Sequence, residues 1–276
     1  MKIKRLLIHL DHSQGCANRL QTAFDMSKRL GAKLTGVFVV PDYIVPSYVE
    51  AQISVDVLTD VTERAVARAK EQLATYEKLA SEAGVEMEAS VIEGQLVTVL
   101  REHSKYSDLL LLGQDHPDDP DNTSYGLADT LLFEGACPCM VVPHSGKVQS
   151  PGDRILVAWN ASRESSHALR NALPLLEQAQ EVLVLCSEPA NTDEAAGHPH
   201  TDELMRYLKA HGISAFSSGM GADMNATDAI TAQAADMNAD LIVMGAYGHT
   251  RLREFILGGV THDLLKQAPL PLFLAH

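Results

Sequence analysis

The stretch Asp240-Leu-Ile-Val-Met-Gly245-Ala-Tyr-Gly248-His-Thr-Arg251-Leu-Arg253-Glu-Phe-Ile-Leu-Gly258-Gly259-Val260-Thr261 decides how the chain folds. Leu241 to Met244 is a short apolar run closed by Gly245, which reads as a buried parallel strand ending in a tight turn. Gly245 and Gly248 frame a loop, nine residues follow, and Gly258-Gly259 opens a helical pattern from Val260 to Ala268. The layout suits an anion. Glycines admit backbone N–H groups at close range, and a helix N-terminus adds unpaired donors and a favourable dipole. Arg251 and Arg253, in the same loop, offer fork-shaped donors. Glycine spacing by itself is equally compatible with a turn that merely separates two elements.

Working outward, the pattern around this stretch is written twice. Asp108-Leu-Leu-Leu-Leu-Gly113 matches Asp240-Leu-Ile-Val-Met-Gly245, and Arg5-Leu-Leu-Ile-His-Leu-Asp11-His-Ser13 parallels Arg154-Ile-Leu-Val-Ala-Trp-Asn160-Ala-Ser162. Helical patterns follow at Ala17 to Leu30 and Ser165 to Gln178, then strands at Leu34 to Val40 and Glu181 to Cys186. Cys137 to Val142 matches Leu270 to Ala275. Each copy therefore reads β-α-β-α-β-α-β-α-β, which implies parallel sheets covered on both faces. In such sheets ligands sit beyond the strand carboxyl ends at the switch point of strand order, where Asp11, Asn160, Gly113 and Gly245 fall.

Between the copies, Pro143 to Asp153 reads as a linker. The first copy carries an insertion, Pro41 to about Asp60, whose Tyr43, Ile44, Val45, Tyr48, Val49 and Ile53 read as a packed arm. Val57, Val61, Ala65, Ala69, Leu73 and Tyr76 continue at helical spacing as core-facing positions of a long helix. The corresponding connection of the second copy, Pro189 to Thr201, is polar. Its His198 and His200 lack a positioned third ligand.

Composition bounds the function classes. The chain has 276 residues, 46% hydrophobic and 21% charged, with 22 Lys plus Arg against 36 Asp plus Glu and a net charge of −14. That surface repels nucleic acid and anionic lipid, so neither is expected as a partner. No apolar run is long enough to span a membrane and no signal-peptide core precedes Asp11, which makes a cytoplasmic location the expectation. Cys16, Cys137, Cys139 and Cys186 form no secreted framework, and the one close pair, Cys137-Pro138-Cys139, lacks redox and zinc spacing and reads as buried structural thiols at a strand start.

The glycine spacing resembles the Gly-x2-Gly-x9-Gly-(Ser/Thr) nucleotide motif of the universal stress protein family, carried here by Gly245, Gly248 and Gly258. The resemblance extends over nearly the whole chain, each copy resembling one domain. It implies an α/β fold of two tandem doubly wound, Rossmann-like (adenine nucleotide alpha hydrolase-like) domains, residues 1–146 and 147–276, each built on a five-stranded parallel sheet. The two would face each other as an intramolecular pseudo-dimer through their last strands, Met140 to Val142 and Phe273 to Ala275, with a homodimer of chains left open. It also implies a stress-response, adenine-nucleotide-binding regulatory protein that takes ATP or ADP, with or without Mg²⁺.

In that family an aspartate ending the first strand holds the adenosine, and backbone ending the second strand contacts adenine. By position these are Asp11 and Val40 in the first copy, and Asn160 and Ser187 in the second. Asn160 keeps a carbonyl acceptor and loses the charge. Gly259 stands where the hydroxyl residue is expected, and the Thr261 hydroxyl is the nearby substitute. The implied site comprises Asn160, Ser187, Gly245, Gly248, Arg251, Gly258, Gly259, Val260 and Thr261, with no catalytic residue and no metal ligand. The other reading of Asp11 and Asn160 is a strand-end turn or helix cap.

The first copy departs further. Gly113 and Gly126 remain, but His116 replaces the middle glycine and Leu127 the hydroxyl residue. Asp115, Asp118, Asp119 and Asp121 stand between the glycines with no Lys or Arg. A unit charge pair about 10 Å apart is worth roughly 1.7 kcal/mol at an effective dielectric of about 20. Several carboxylates therefore oppose a triphosphate, and the first loop is expected to hold none.

No Walker lysine and no dinucleotide fingerprint is present. Ser162, Ser165, Ser166 and His167 lack a nucleophile elbow and read as a capped helix start, as do Thr261-His262-Asp263. Beside the nucleotide-responsive regulator, two other readings remain: a slow ATP hydrolase using the same pocket, and a nucleotide-free interaction protein.

Overall fold

The computed structural model describes residues 2–42, 55–123, 125–146, 150–187, 199–221, 224–247 and 259–276. In the first half, β1 (Arg5–Leu10), α1 (Cys16–Leu30), β2 (Lys33–Val40), α2 (Val55–Glu82), β3 (Met87–Glu93), α3 (Leu96–Ser104), β4 (Leu109–Gly113), α4 (Leu127–Glu134) and β5 (Cys139–Val142) follow in order. The second half repeats the series as β6 (Arg154–Trp159), α5 (Arg163–Leu176), β7 (Glu181–Cys186), α6 (Pro199–Ala210), β8 (Ala215–Gly219), α7 (Ala226–Asp236), β9 (Leu241–Gly245), α8 (Gly259–Gln267) and β10 (Leu272–Ala275).

The strands join in one ten-stranded sheet of order β3-β2-β1-β4-β5-β10-β9-β6-β7-β8. Each half is a five-stranded parallel unit, doubly wound, with its switch point between β1 and β4 or between β6 and β9. The halves meet where β5 and β10 run antiparallel, with Leu272 opposite Val141, Phe273 opposite Met140 and Leu274 opposite Cys139. This pairing covers two edges that would otherwise stay open.

Alternation along the strands supplies a core to each face. Leu6, Ile8 and Leu10 of β1 enter one apolar cluster and Leu7 the other, all fully buried. Both clusters run through the two halves, so the apolar runs seen in the sequence are strands buried on both sides.

The matched aspartates Asp108 and Asp240 share one structural task at the pole opposite the strand carboxyl ends. The Asp108 carboxylate accepts from the N–H of Lys4 and Arg5 at 2.7 and 2.9 Å, and that of Asp240 from Gly152, Asp153 and Arg154 at 2.6, 2.9 and 3.0 Å. Each anchors the start of its half's first strand. The linker is held as well: Arg29 pairs with Asp153 at 2.8 Å and donates to the Gly152 carbonyl at 2.6 Å.

Two sequence expectations change. Ala69, Leu73 and Tyr76 face the core, but Val57 and Val61 are 53% and 40% exposed. Helix α2 has 28 residues, about 42 Å at helical rise, and β3 beside it has 7, roughly 23 Å, so the helix overhangs the sheet and its first turns have no core to meet. The polar connection expected to reach Thr201 ends sooner, because α6 starts at Pro199, a residue whose missing N–H costs nothing in a first turn. The arm residues between 43 and 54, His198 and the His200 side chain lie outside the described residues. No described helix is long and apolar enough to cross a membrane.

Candidate functional site

A cavity of about 290 Å³ opens beyond the carboxyl ends of β6 and β9, at the switch point of the second half. Its lining includes Asn160, Ser187, Gly245, Val260 and Thr261, five of the nine residues singled out in the sequence. Leu185, Met220, Ile230 and Met244 add apolar wall, and Trp159 and Tyr247 add aromatic wall. Gly259 is exposed at the start of α8, the element that carries Val260 and Thr261 into the lining. Gly248, Arg251, Arg253 and Gly258 lie outside the described residues.

Each placed residue has a local cause. Asn160 follows β6, and its side-chain oxygen accepts from the Ser162 N–H at 3.2 Å, a strand-end turn. Ser162 in turn caps α5, accepting from the Ser165 N–H at 3.1 Å. Ser187 follows β7, and its N–H donates to the Trp159 carbonyl at 2.8 Å, so that donor belongs to the sheet rather than to a ligand. Gly245 is glycine for packing: a Cβ there would stand 2.4 Å from the Ser165 backbone N and 2.5 Å from the Glu164 carbonyl carbon. Only a residue without a side chain lets β9 pass under the first turn of α5.

Tyr247 is one of the lining residues that the sequence did not single out. It is 8% exposed, and its backbone lies in the left-handed region at φ +55°. Its hydroxyl donates to the Asp129 carboxylate of α4, in the other half. A single tyrosine between loop glycines carries no signal of such a partner in the sequence. The loop before it is equally tied: the Ala246 N–H donates to the Ala275 carbonyl at 2.9 Å, and its carbonyl pairs with His276 Nδ1 at 3.0 Å.

The first half uses the matching positions on itself. Asp11 is 2% exposed, accepts from the Ser13 N–H at 3.1 Å and the Thr123 hydroxyl at 3.2 Å, and pairs with the buried Arg19 guanidinium at 2.8 Å. Burial would raise this carboxyl, but Arg19, His9 and Ser13 outweigh it and hold Asp11 well below the usual carboxylate range. Arg19 also donates to the His9 carbonyl at 2.7 Å, and Tyr76 donates its hydroxyl to the Asp11 carbonyl at 2.9 Å. Burial pushes His9 down to about 4. Val40, the counterpart of the Ser187 region, gives its carbonyl to the Gly94 N–H at 3.0 Å.

The acidic loop also closes on its own amides. Asp115 accepts from the Gly126 N–H at 3.1 Å, and Asp119 accepts from the N–H of Gln14 at 2.8 Å and of Asp121 at 3.1 Å. Burial raises Asp115 and Asp129 above the ordinary carboxylate range, opposed in both by His262 and Lys266 of α8. Cys16, Cys139 and Cys186 are buried, and burial pushes the Cys137 thiol up to about 12.

Fold and cavity define a doubly wound α/β domain with a crevice at its switch point. Residues 152–276 match the model of the universal stress protein family, so the half that holds the cavity is a domain of that family. A universal stress protein from Archaeoglobus fulgidus DSM 4304 superposes over 100% of this chain and 99% of its own, with a TM-score of 0.78 at 19% identity. A functionally unknown protein from Pseudomonas aeruginosa PAO1 does so over 99% of this chain and 92% of its own, with a TM-score of 0.60 at 15% identity. These likenesses show the fold of both halves. No curated protein matches the sequence.

Proposed function

We propose that the chain is a nucleotide-responsive regulatory protein that holds ATP or ADP, with or without Mg²⁺, in its second domain, residues 147–276. The first domain, residues 1–146, acts as a scaffold whose own cradle takes no phosphate. The observation that supports this reading is the convergence of Asn160, Ser187, Gly245, Val260 and Thr261 on one cavity, although they come from four separate elements or their ends.

The residues present fit the group. Small-molecule pockets span about 300–1,000 Å³ and combine apolar walls with a few placed polar groups. At about 290 Å³, with Leu185, Met220, Ile230 and Met244 beside Asn160, Ser187 and Thr261, this one suits a flat base and a sugar. The phosphates would leave toward Gly259 at the head of α8, where backbone donors and the helix dipole favour negative charge. The family match supports a role in stress responses.

Calorimetric titration with ATP tests the proposal. Wild type is expected to release heat with saturable 1:1 stoichiometry, and Ala226→Phe, which fills the cavity from the start of α7, is expected to weaken binding at least about tenfold. Absence of heat in wild type, or unchanged affinity in the filled variant, would overturn the assignment.

A further inference from the structure

We infer that Asp129, in the first half, is a positioning residue for the cavity of the second half. It holds Tyr247 as one wall, so the binding site is complete only when both halves are present. The inference rests on the nucleotide reading for its ligand and on local geometry for its mechanism.

Tyr247 stands two residues beyond Gly245 and lines the cavity. Its φ of +55° is a backbone state that residues with a Cβ adopt only when their surroundings hold them there. Helix α4 supplies that hold from across the seam. The Tyr247 hydroxyl donates to Asp129, and its ring stacks on Phe133 with centroids 4.6 Å apart and planes inclined by 26°. Asp129 and Phe133 are four residues apart and present one helix face. Phe133 also meets the His276 ring edge-on at 4.8 Å, and His276 Nδ1 pairs with the Ala246 carbonyl. The segment entering the cavity is thereby clamped by the first half on one side and by the end of the second-half sheet on the other.

The clamp is not a symmetric feature of the repeat. Counting from Gly245 and Gly113, the counterpart of Tyr247 is Asp115, which turns back to the Gly126 N–H of its own half. The contact therefore serves one cavity, the one that gathers the candidate ligand-binding residues. It also gives the first half a task that does not need a ligand of its own.

Two readouts on the intact chain separate this inference from the nucleotide reading. The first is ATP affinity in Asp129→Ala, Asp129→Asn, Tyr247→Phe and the double variant Asp129→Ala/Tyr247→Phe. Asp129→Ala and Tyr247→Phe are each expected to weaken binding about fivefold to tenfold, the double variant no more than either alone, and Asp129→Asn to restore most of the affinity because it keeps an acceptor oxygen. The second readout needs no ligand: exchange of the Ala246 amide, bonded to Ala275, is expected to run about tenfold faster in Asp129→Ala than in wild type. If wild type binds no ATP while Ala246 exchange still accelerates, the nucleotide reading falls and the positioning role stands. Unchanged exchange in Asp129→Ala, or losses that multiply in the double variant, overturns the positioning role.

Discussion

Asp115 accepts a hydrogen bond from the Gly126 N–H at 3.1 Å, so the amide at the head of α4 already carries an anion from its own chain. Gly126 is in the left-handed region at φ +63°, which presents that N–H to the carboxylate. Asp115→Ala is expected to lower stability by about 1 kcal/mol, and Gly126→Ala by about 1–2 kcal/mol. Urea unfolding measures both, and neither change is expected to create ATP binding in the first half, where Asp118, Asp119 and Asp121 remain.

The buried pair of Asp11 and Arg19 predicts strong non-additivity. Removing one partner leaves an unpaired charge in the interior, so Arg19→Met is expected to cost about 3–5 kcal/mol. Asp11→Leu combined with Arg19→Met should cost clearly less than the two single losses together, and a denaturation cycle reads the difference.

His9 makes stability depend on pH. Its folded value is depressed from 6.5 to about 4, so between those limits the unfolded chain binds the extra proton. Its contribution is complete above pH 6.5 and is lost as pH falls toward 4. A shift of that size corresponds to about 3 kcal/mol. Wild type is expected to lose stability over this window, and His9→Gln, which cannot charge, to lose less. Asp11, also depressed, is charged throughout the window, so its own contribution is lost only under more acidic conditions.

Gly245→Ala tests the passage of β9 beneath α5. The new Cβ would meet the backbone of Ser165 and Glu164, which cannot swing aside as a side-chain tip does. The cost is expected to be about 1–3 kcal/mol in urea unfolding. Under the proposed function ATP binding weakens too, because α5 begins beside the Asn160 turn.

Much of the architecture was legible in the chain itself. The apolar runs Leu109–Gly113 and Leu241–Gly245, and the matched openings at Arg5 and Arg154, determine two copies of one α/β unit, since strand and helix periods and glycine stops are local properties. The positions of Asn160, Gly245 and Thr261 at strand or helix ends followed from the same periods. The overhang of Val57 and Val61 did not, because helical spacing states which side of a helix is apolar and says nothing about where the neighbouring sheet stops.

Tertiary structure alone decided what those groups touch. Asp11 and Asn160 both close a turn on a serine two residues later, but only Asp11 faces a buried arginine. The packing demand on Gly245 appears only when α5 is placed against it. Asp129 lies in the first turn of α4, and antiparallel pairing of β5 with β10 brings it to Tyr247, 118 residues away. The one-dimensional pattern records periodicity and local conformation. Contacts between distant segments depend on how sheets dock, and that appears only when both halves have packed.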